Sequence, residues 1–375
     1  MIRGRSDLAN VRRIVVKIGS SLLADATSGI RRELIDRLAD ETAALHARGI
    51  DVAIVSSGAV ALGRVHMGWE ERNLTVHEKQ AAAAIGQPHL MRAYSRAFER
   101  HGRMVAQMLL TKDDLRHRRR YLNASNTSET LFSAGVVPIV NENDTVVVEE
   151  IKFGDNDSLA ALVSLLIDAD LLVIMTDVDG FYDRNPLQDS GAKRLDVVEH
   201  LTPAIIQAAG GAGSSFGTGG MASKIDAVRI STRGGVAAAI INGWQPQALS
   251  SLLAGKDTGT LFLCSGDRHS KRQHWIADVL TPVGAVRIDA GAERALRERG
   301  SSLLPVGIVE VTGHFDKGEC IDIVGQQGKP IARGLTNYNA EDLRRIQGHP
   351  SQEIESILGY MDFSSVVHRD NLVLL

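Results

Sequence analysis

Up to about residue 265 the chain alternates short apolar runs with longer helical patterns, and this rhythm limits the fold more than any other feature. The runs cover residues 13–18, 52–56, 104–109, 136–140, 171–176, 237–241 and 260–264. Several lack the polar alternation of a half-solvated sheet, as expected for parallel strands buried on both faces. Helical patterns fill the gaps at 31–48, 76–100, 121–134, 158–167, 221–233 and 245–254. Such lengths suit the crossover helices that parallel strands require. The expectation is a three-layer α/β sandwich with a mainly parallel sheet over residues 1–266. Aromatics make up only 4% of the chain, so Val, Ile, Leu and Ala must build its core.

The pattern then changes. Residues 267–280 open with Asp-Arg-His-Ser-Lys-Arg-Gln-His and read as a linker. Residues 281–375 carry β-like runs at 283–288, 307–311 and 319–324, with glycine turns at Gly313, Gly318, Gly325 and Gly328. A small β-rich second domain follows. Residues 145–153 suggest an additional short strand or hairpin beside the active edge of the first domain. The net charge of −3 gives no electrostatic case for nucleic acid or membrane. No apolar run approaches the roughly 20 residues of a membrane helix, and the first thirty residues lack a signal-peptide core. Cys264 and Cys320 have no zinc-type spacing, and a reduced, cytoplasmic compartment is the simplest expectation.

Two lysine segments carry the chemistry. Val-Val-Lys-Ile-Gly-Ser-Ser (Val15–Ser21) puts Lys17 after a strand run, reaching either for phosphate at the sheet's carboxyl edge or into solvent. Residues 217–224 read Gly-Thr-Gly-Gly-Met-Ala-Ser-Lys and lead into a helix. Glycine amides and a helix N-terminus favour an anion, and Lys224 adds a point charge. The segment does not fit the Walker pattern G-x-x-x-x-G-K-S/T, and as a G-x-G-x-x-A dinucleotide fingerprint it lacks the preceding strand. The flexible stretch at 209–215 before it leaves a linker as the other reading.

Four further clusters stand at the ends of apolar runs or starts of helices. Ser56-Ser57-Gly58-Ala59 suits a carboxylate or phosphate, or simply a helix cap. Ile-Val-Asn-Glu-Asn-Asp, with Asn141 and Asp144, and Gly-Asp-Asn-Asp, with Asn156 and Asp157, crowd groups that can grip an amine and a carboxylate, or hold metal and lysine. Thr-Asp-Val-Asp-Gly, with Thr176 and Asp177, suits a nucleotide contact or an Asp-Gly turn. The basic run at residues 116–120 reads as a solvated loop or subunit contact.

Taken in order, these six segments resemble the amino acid kinase family end to end, and within it the branch whose acceptor is L-glutamate. Residues 299–305 and 351–360 resemble the PUA domain appended to many bacterial members. The resemblance implies ATP-dependent phosphorylation of the γ-carboxylate of L-glutamate to L-glutamyl 5-phosphate, the first step of proline biosynthesis, with Mg²⁺ and without a dedicated protein metal site. It implies catalytic roles for Lys17, Lys224 and Asp157, and substrate contacts from Ser57, Gly58, Asn141, Asp144 and Asn156. ATP would meet Lys17, Thr176, Asp177 and the loop Thr218, Gly219, Gly220, Met221, Ala222, Ser223 and Lys224. Feedback by L-proline and a homo-oligomer, dimer or tetramer, are implied in the same way. The nearest alternatives are kinases of the same fold acting on acetylglutamate, aspartate, uridylate or carbamate. PUA domains often bind RNA, but residues 281–375 hold ten Lys and Arg against thirteen Asp and Glu, the wrong sign for a phosphate-binding surface.

Overall fold

The computed structural model describes residues 2–25, 29–146, 156–184, 186, 189, 191–203, 205, 206, 220–264, 276 and 280–375. The residues expected to form the linker, apart from 276 and 280, lie outside this set, as do residues 147–155 and 207–219. The chain divides into two compact units, residues 1–112 with 124–265, and residues 113–123 with 266–375.

The first unit begins with β1 (Arg13–Ile18), α1 (Ser20–Leu23), the two-residue pair β2 (Ala24–Asp25) and β3 (Gly29–Ile30), α2 (Arg32–Ala47), β4 (Asp51–Val55), α3 (Ala59–Met67) and α4 (Val76–Glu99). After β5 (Val105–Leu110) come α5 (Lys112–Arg116) and α6 (Arg118–Ser133), whose residues 113–123 group with the second unit, then β6 (Val137–Glu142), α7 (Asp157–Leu166), β7 (Leu171–Thr176) and β8 (Val197–Val198). It closes with α8 (Met221–Arg233), β9 (Ala237–Asn242), α9 (Ala248–Leu253) and β10 (Thr260–Phe262). The basic run expected as a loop spans the end of α5 and the start of α6, and is largely helical.

Among the described residues these strands form an eight-stranded sheet in the order β5-β6-β4-β1-β7-β9-β10-β8. All neighbours from β5 to β9 run parallel. Their apolar runs are buried on both faces: β1, β6 and β7 are buried at nearly every position, and Ile14, Val16, Ile54, Ile139 and Val173 join one core. The run at β10 is as apolar, yet it pairs antiparallel to β9, with Thr260 opposite Ile240. Burial on two faces does not encode strand direction; the connection does.

β1 lies between β4 and β7, with Lys17 in register with Val55 on one side and Ile174 on the other. The chain leaves β1 toward β4 and later fills the other side with β7, so strand order reverses at β1. A crevice opens outside the carboxyl ends of strands at such a point. Helix α3, which the sequence pattern did not mark, packs tightly on α4. A methyl added at Gly86 would sit 1.9 Å from the Ala59 carbonyl oxygen, and one at Gly63 would sit 1.7 Å from that of Ala82. Only glycine permits this backbone-to-backbone approach. Helix α4 starts with a capping box, in which the Thr75 hydroxyl accepts from Glu78 N–H and the Glu78 carboxylate accepts from Thr75 N–H.

The second unit contains β11 (Gly284–Ile288), α10 (Ala290–Arg299), β12 (Ile308–Gly313), β13 (Cys320–Val324), β14 (Pro330–Thr336), α11 (Ala340–Ile346), α12 (Ile354–Leu358) and β15 (Val367–Leu374). Its five strands pair in the order β12-β11-β13-β14-β15, with β11 and β13 parallel and the other pairs antiparallel. Val286, Ile288, Ile321, Ile323, Leu343, Ile346 and Val367 form its core. Among the described residues no helix is long and apolar enough to cross a membrane.

Candidate active site

Lys17 stands one residue before the end of β1 and is only 2% exposed. It is therefore not a solvated lysine after an edge strand. Its Nζ lies 2.5 Å from Oδ1 of Asp157, the first residue of α7, which is fully buried. Lys224, in the first turn of α8, brings its Nζ to 3.4 Å from the other carboxylate oxygen, Oδ2. Ser223 donates its hydroxyl to that same oxygen at 2.9 Å. Burial by itself would raise the Asp157 carboxyl, but the two ammonium groups and the hydrogen bonds from Lys17 and Ser223 outweigh it, so the carboxyl is held below its ordinary value. Residues 17, 157 and 224 are distant in sequence, and the sheet's switch point brings them together. The starts of α7 and α8 meet here too, adding the favourable dipole of two helix N-termini for an anion.

A second set of polar groups lines a cavity of about 320 Å³, among them Ser57, Gly58, Asn141, Asp144 and Asn156. Ser57 follows β4; its Oγ is buried and has no hydrogen-bond partner among the described residues. Gly58 caps α3 at φ 94°, a conformation that favours glycine. Asn141 donates its Nδ2 to Gln87 Oε1 at 2.8 Å, and its Oδ1 accepts from Glu142 N–H at 2.9 Å and from Asn156 Nδ2 at 2.8 Å. Asn156 also donates to the Ser56 carbonyl at 2.5 Å. Burial, then the neighbouring Glu142 carboxylate, raises the Asp144 carboxyl to about 7.

Thr176 ends β7 next to β1 and is buried; its hydroxyl donates to Asp177 Oδ1 at 3.0 Å, and Asp177 is exposed. Gly220, Met221, Ala222 and Ser223 form the cap and first residues of α8. Thr218 and Gly219 lie outside the described residues, as do Gly154 and Asp155. Three groups at this site went unmarked in the sequence. Gln87 is buried on α4 among Ala82, Ala83, Gly86 and Leu90, and a polar residue on that small apolar face is the signal that would have found it. Arg64 and Lys79 line the cavity, and Arg64 donates to the carbonyls of Glu70 and Arg72 at 2.9 and 2.7 Å. Among the described residues, no group of three or more His, Cys, Asp or Glu could hold a metal ion.

A fold with its polar cleft at the switch point of a mainly parallel sheet, two buried lysines converging there, and a separate five-stranded domain defines the class. The chain belongs to the amino acid kinase family, whose model matches residues 12–242, and the PUA domain model matches residues 284–358. Glutamate 5-kinases are among its most similar curated relatives. The glutamate 5-kinase of Geobacter sulfurreducens is 50% identical over 98% of this chain and 99% of its own length. That of Trichlorobacter lovleyi is 50% identical over 99% of both chains. That of Chromohalobacter salexigens is 47% identical over 99% of this chain and 98% of its own.

Proposed function

We propose that this site transfers the γ-phosphoryl group of ATP to the γ-carboxylate of L-glutamate, giving L-glutamyl 5-phosphate and ADP, the first step of proline biosynthesis. The observation that carries the reading is the convergence of Lys17 and Lys224 on Asp157, in a fold whose relatives at 50% identity are glutamate 5-kinases. The γ-carboxylate is ionised at neutral pH and is itself the nucleophile. One of its oxygens bonds to the γ-phosphorus as the bond from that phosphorus to the β,γ-bridging oxygen breaks, and ADP leaves with that electron pair. No proton moves, so no catalytic base is required. What remains for the protein is to align two anions and to offset the charge spread over the transferring group.

Lys17 and Lys224 take that second task, and Asp157 holds both ammonium groups in place. Thr176, Asp177 and the residues from Thr218 to Lys224 bind ATP. Asp157 is committed to the two lysines, and Mg²⁺ brought with the nucleotide would add positive charge to offset that of the transferring group. Ser57 and Gly58 receive the substrate's α-carboxylate, while Asp144 and Asn156, with Asn141 beside them, receive its ammonium end. L-Proline, as the pathway's end product, competes in this cavity, and the enzyme works as a cytoplasmic homo-oligomer, a dimer or tetramer. The test is ADP release with Mg-ATP and, separately, L-glutamate, N-acetylglutamate, L-aspartate, UMP and carbamate, with hydroxylamine present to trap acyl phosphate. Turnover and hydroxamate with L-glutamate alone is the expected result; turnover with another acceptor overturns the substrate assignment.

A further inference from the structure

The amides beside the cavity form a chain whose orientation is dictated by two backbone groups. The N–H of Glu142 can only donate, so the atom of Asn141 that meets it at 2.9 Å is the oxygen, Oδ1. The other end of that amide is then the nitrogen, and it needs an acceptor, which it finds in Gln87 Oε1 at 2.8 Å. The carbonyl of Ser56 can only accept, so the atom of Asn156 that meets it is Nδ2. That same nitrogen also donates to Asn141 Oδ1 at 2.8 Å. Both Nδ2 hydrogens of Asn156 are thereby used. The polar side-chain atom left for the cavity it lines is the acceptor Oδ1. Asp144 on the same wall is a second acceptor, while Ser57 Oγ is an unpartnered hydroxyl able to donate.

From this we infer that Gln87 is a positioning residue for recognition of the substrate's free ammonium group. It is not among the residues that line the cavity. It works through Asn141, whose buried Nδ2 would otherwise have no acceptor, and Asn141 fixes the amide of Asn156 with its oxygen toward the ligand. Gln87, Asn141 and Asn156 are 7%, 3% and 4% exposed, so water cannot readily substitute for a lost partner. A cavity wall that offers acceptors on one side accepts a primary ammonium and disfavours a ligand lacking N–H there. The inference deepens the glutamate kinase reading and rests on it.

The test compares L-glutamate with glutarate, which carries the same two carboxylates but no ammonium. Wild type, Gln87→Met and Gln87→Glu are titrated with each ligand by calorimetry, and steady-state constants are measured with L-glutamate and ATP. Gln87→Met keeps the side-chain length and removes the acceptor; Gln87→Glu keeps an acceptor oxygen. Losing a buried amide's partner is expected to weaken L-glutamate binding about tenfold. Glutarate binding, kcat and the KM for ATP stay near the wild-type values, and Gln87→Glu recovers most of the loss. Equal weakening of both ligands, or a folded Gln87→Met with an unchanged preference for L-glutamate over glutarate, overturns the inference. A wild-type enzyme that turns over another acceptor instead of L-glutamate overturns the substrate reading, and is seen before any variant is made.

Discussion

The two sheets bury their strands in opposite ways. In the kinase-type sheet, β6 and β7 are buried at every position, and β1 at all but its first. In the PUA-type sheet, β12 buries two of six positions and β15 has runs of exposed residues. Their buried polar groups differ in the same sense. In the first sheet, Lys17, Ser57, Asn141, Asn156, Asp157, Thr176 and Lys224 are buried together along one end of neighbouring strands. In the second unit the buried Thr336 turns its hydroxyl to a carbonyl two residues away, that of Tyr338, at 2.8 Å. Buried charge is costly unless paired. A fold carrying several such groups at one place, two of them lysines, marks that place as the one with a use for them; a hydroxyl capping its own turn marks only a fold.

The largest effect expected from breaking this contrast lies at the lysines. Lys224→Ala or Lys17→Ala should lower kcat by about 10²–10³, the usual loss for one preorganised charged donor. The fold should survive, because Asp157 keeps the other lysine as partner. Asp157→Ala should be worse for the fold, since it leaves two buried ammonium groups facing each other, at a cost of about 3–5 kcal/mol. Steady-state kinetics beside thermal melts separate the two behaviours. A folded Lys17→Ala with near-normal turnover removes that lysine from the chemistry.

Next in size is a purely steric effect beneath the cavity. Gly86→Ala drives a methyl against the Ala59 carbonyl, where α3 and α4 meet backbone to backbone. Overpacking of this kind costs about 1–3 kcal/mol. Because Gly58 caps α3, the shift should also raise the KM for L-glutamate, and a melt combined with that KM checks both. A Gly86→Ala protein with wild-type stability would mean that the helices separate at little cost.

Much of this was legible in the sequence, for reasons that differ between the two sheets. Continuous apolar runs located β1 and β7 to the residue, because strands buried on both faces leave no polar positions to blur them. The pattern could not give the antiparallel sense of β10, nor reveal α3, where Gly63 permits the close approach of Ala82. In the second unit β14 and β15 escaped notice; β15 is half-exposed, and its stretch His368–Leu372 mixes charge with apolar residues. Lys17, Asp157 and Lys224 each stood out in a motif, but their meeting is a property of strand order, which no local pattern contains. Gln87 was hidden for the converse reason: its partners come from β6, and nothing within α4 announces them.

A subtler effect is set by protonation at the cavity. Asp144 titrates near 7, raised first by burial and then by Glu142, so below that pH it is neutral and cannot attract an ammonium group. The kcat/KM for L-glutamate should therefore fall by about tenfold per pH unit below 7 and level off above it. The sign for stability is opposite. A carboxyl raised from 3.8 to about 7 on folding contributes stability that is present below about 4 and is lost as pH rises through 7 in the unliganded protein. The thermal shift given by L-glutamate should then grow from pH 6 to pH 8. Asp144→Asn should flatten both profiles, and a profile unchanged by that substitution would assign the titration to another group.

The smallest effects belong to the second sheet, and they test whether its charges are merely structural. Arg287 Nε and Glu310 Oε2 pair at 2.9 Å across β11 and β12, with both side chains about half exposed. Arg333 Nε and Asp322 Oδ1 pair at the same 2.9 Å across β13 and β14, but are only 19% and 21% exposed. The distances are equal and the burial is not, and Arg333 also donates to the Leu280 carbonyl. Arg287→Ala should change stability by roughly 0.2–1 kcal/mol, and the change should fade in high salt. Arg333→Ala should cost more and respond less to salt, because Asp322 is left half-buried without its cation. Neither should move kcat with L-glutamate. Salt-dependent melts of both variants decide the matter: if Arg287→Ala were the more damaging, or if either altered turnover, charge in this sheet would be serving something other than the fold that holds it.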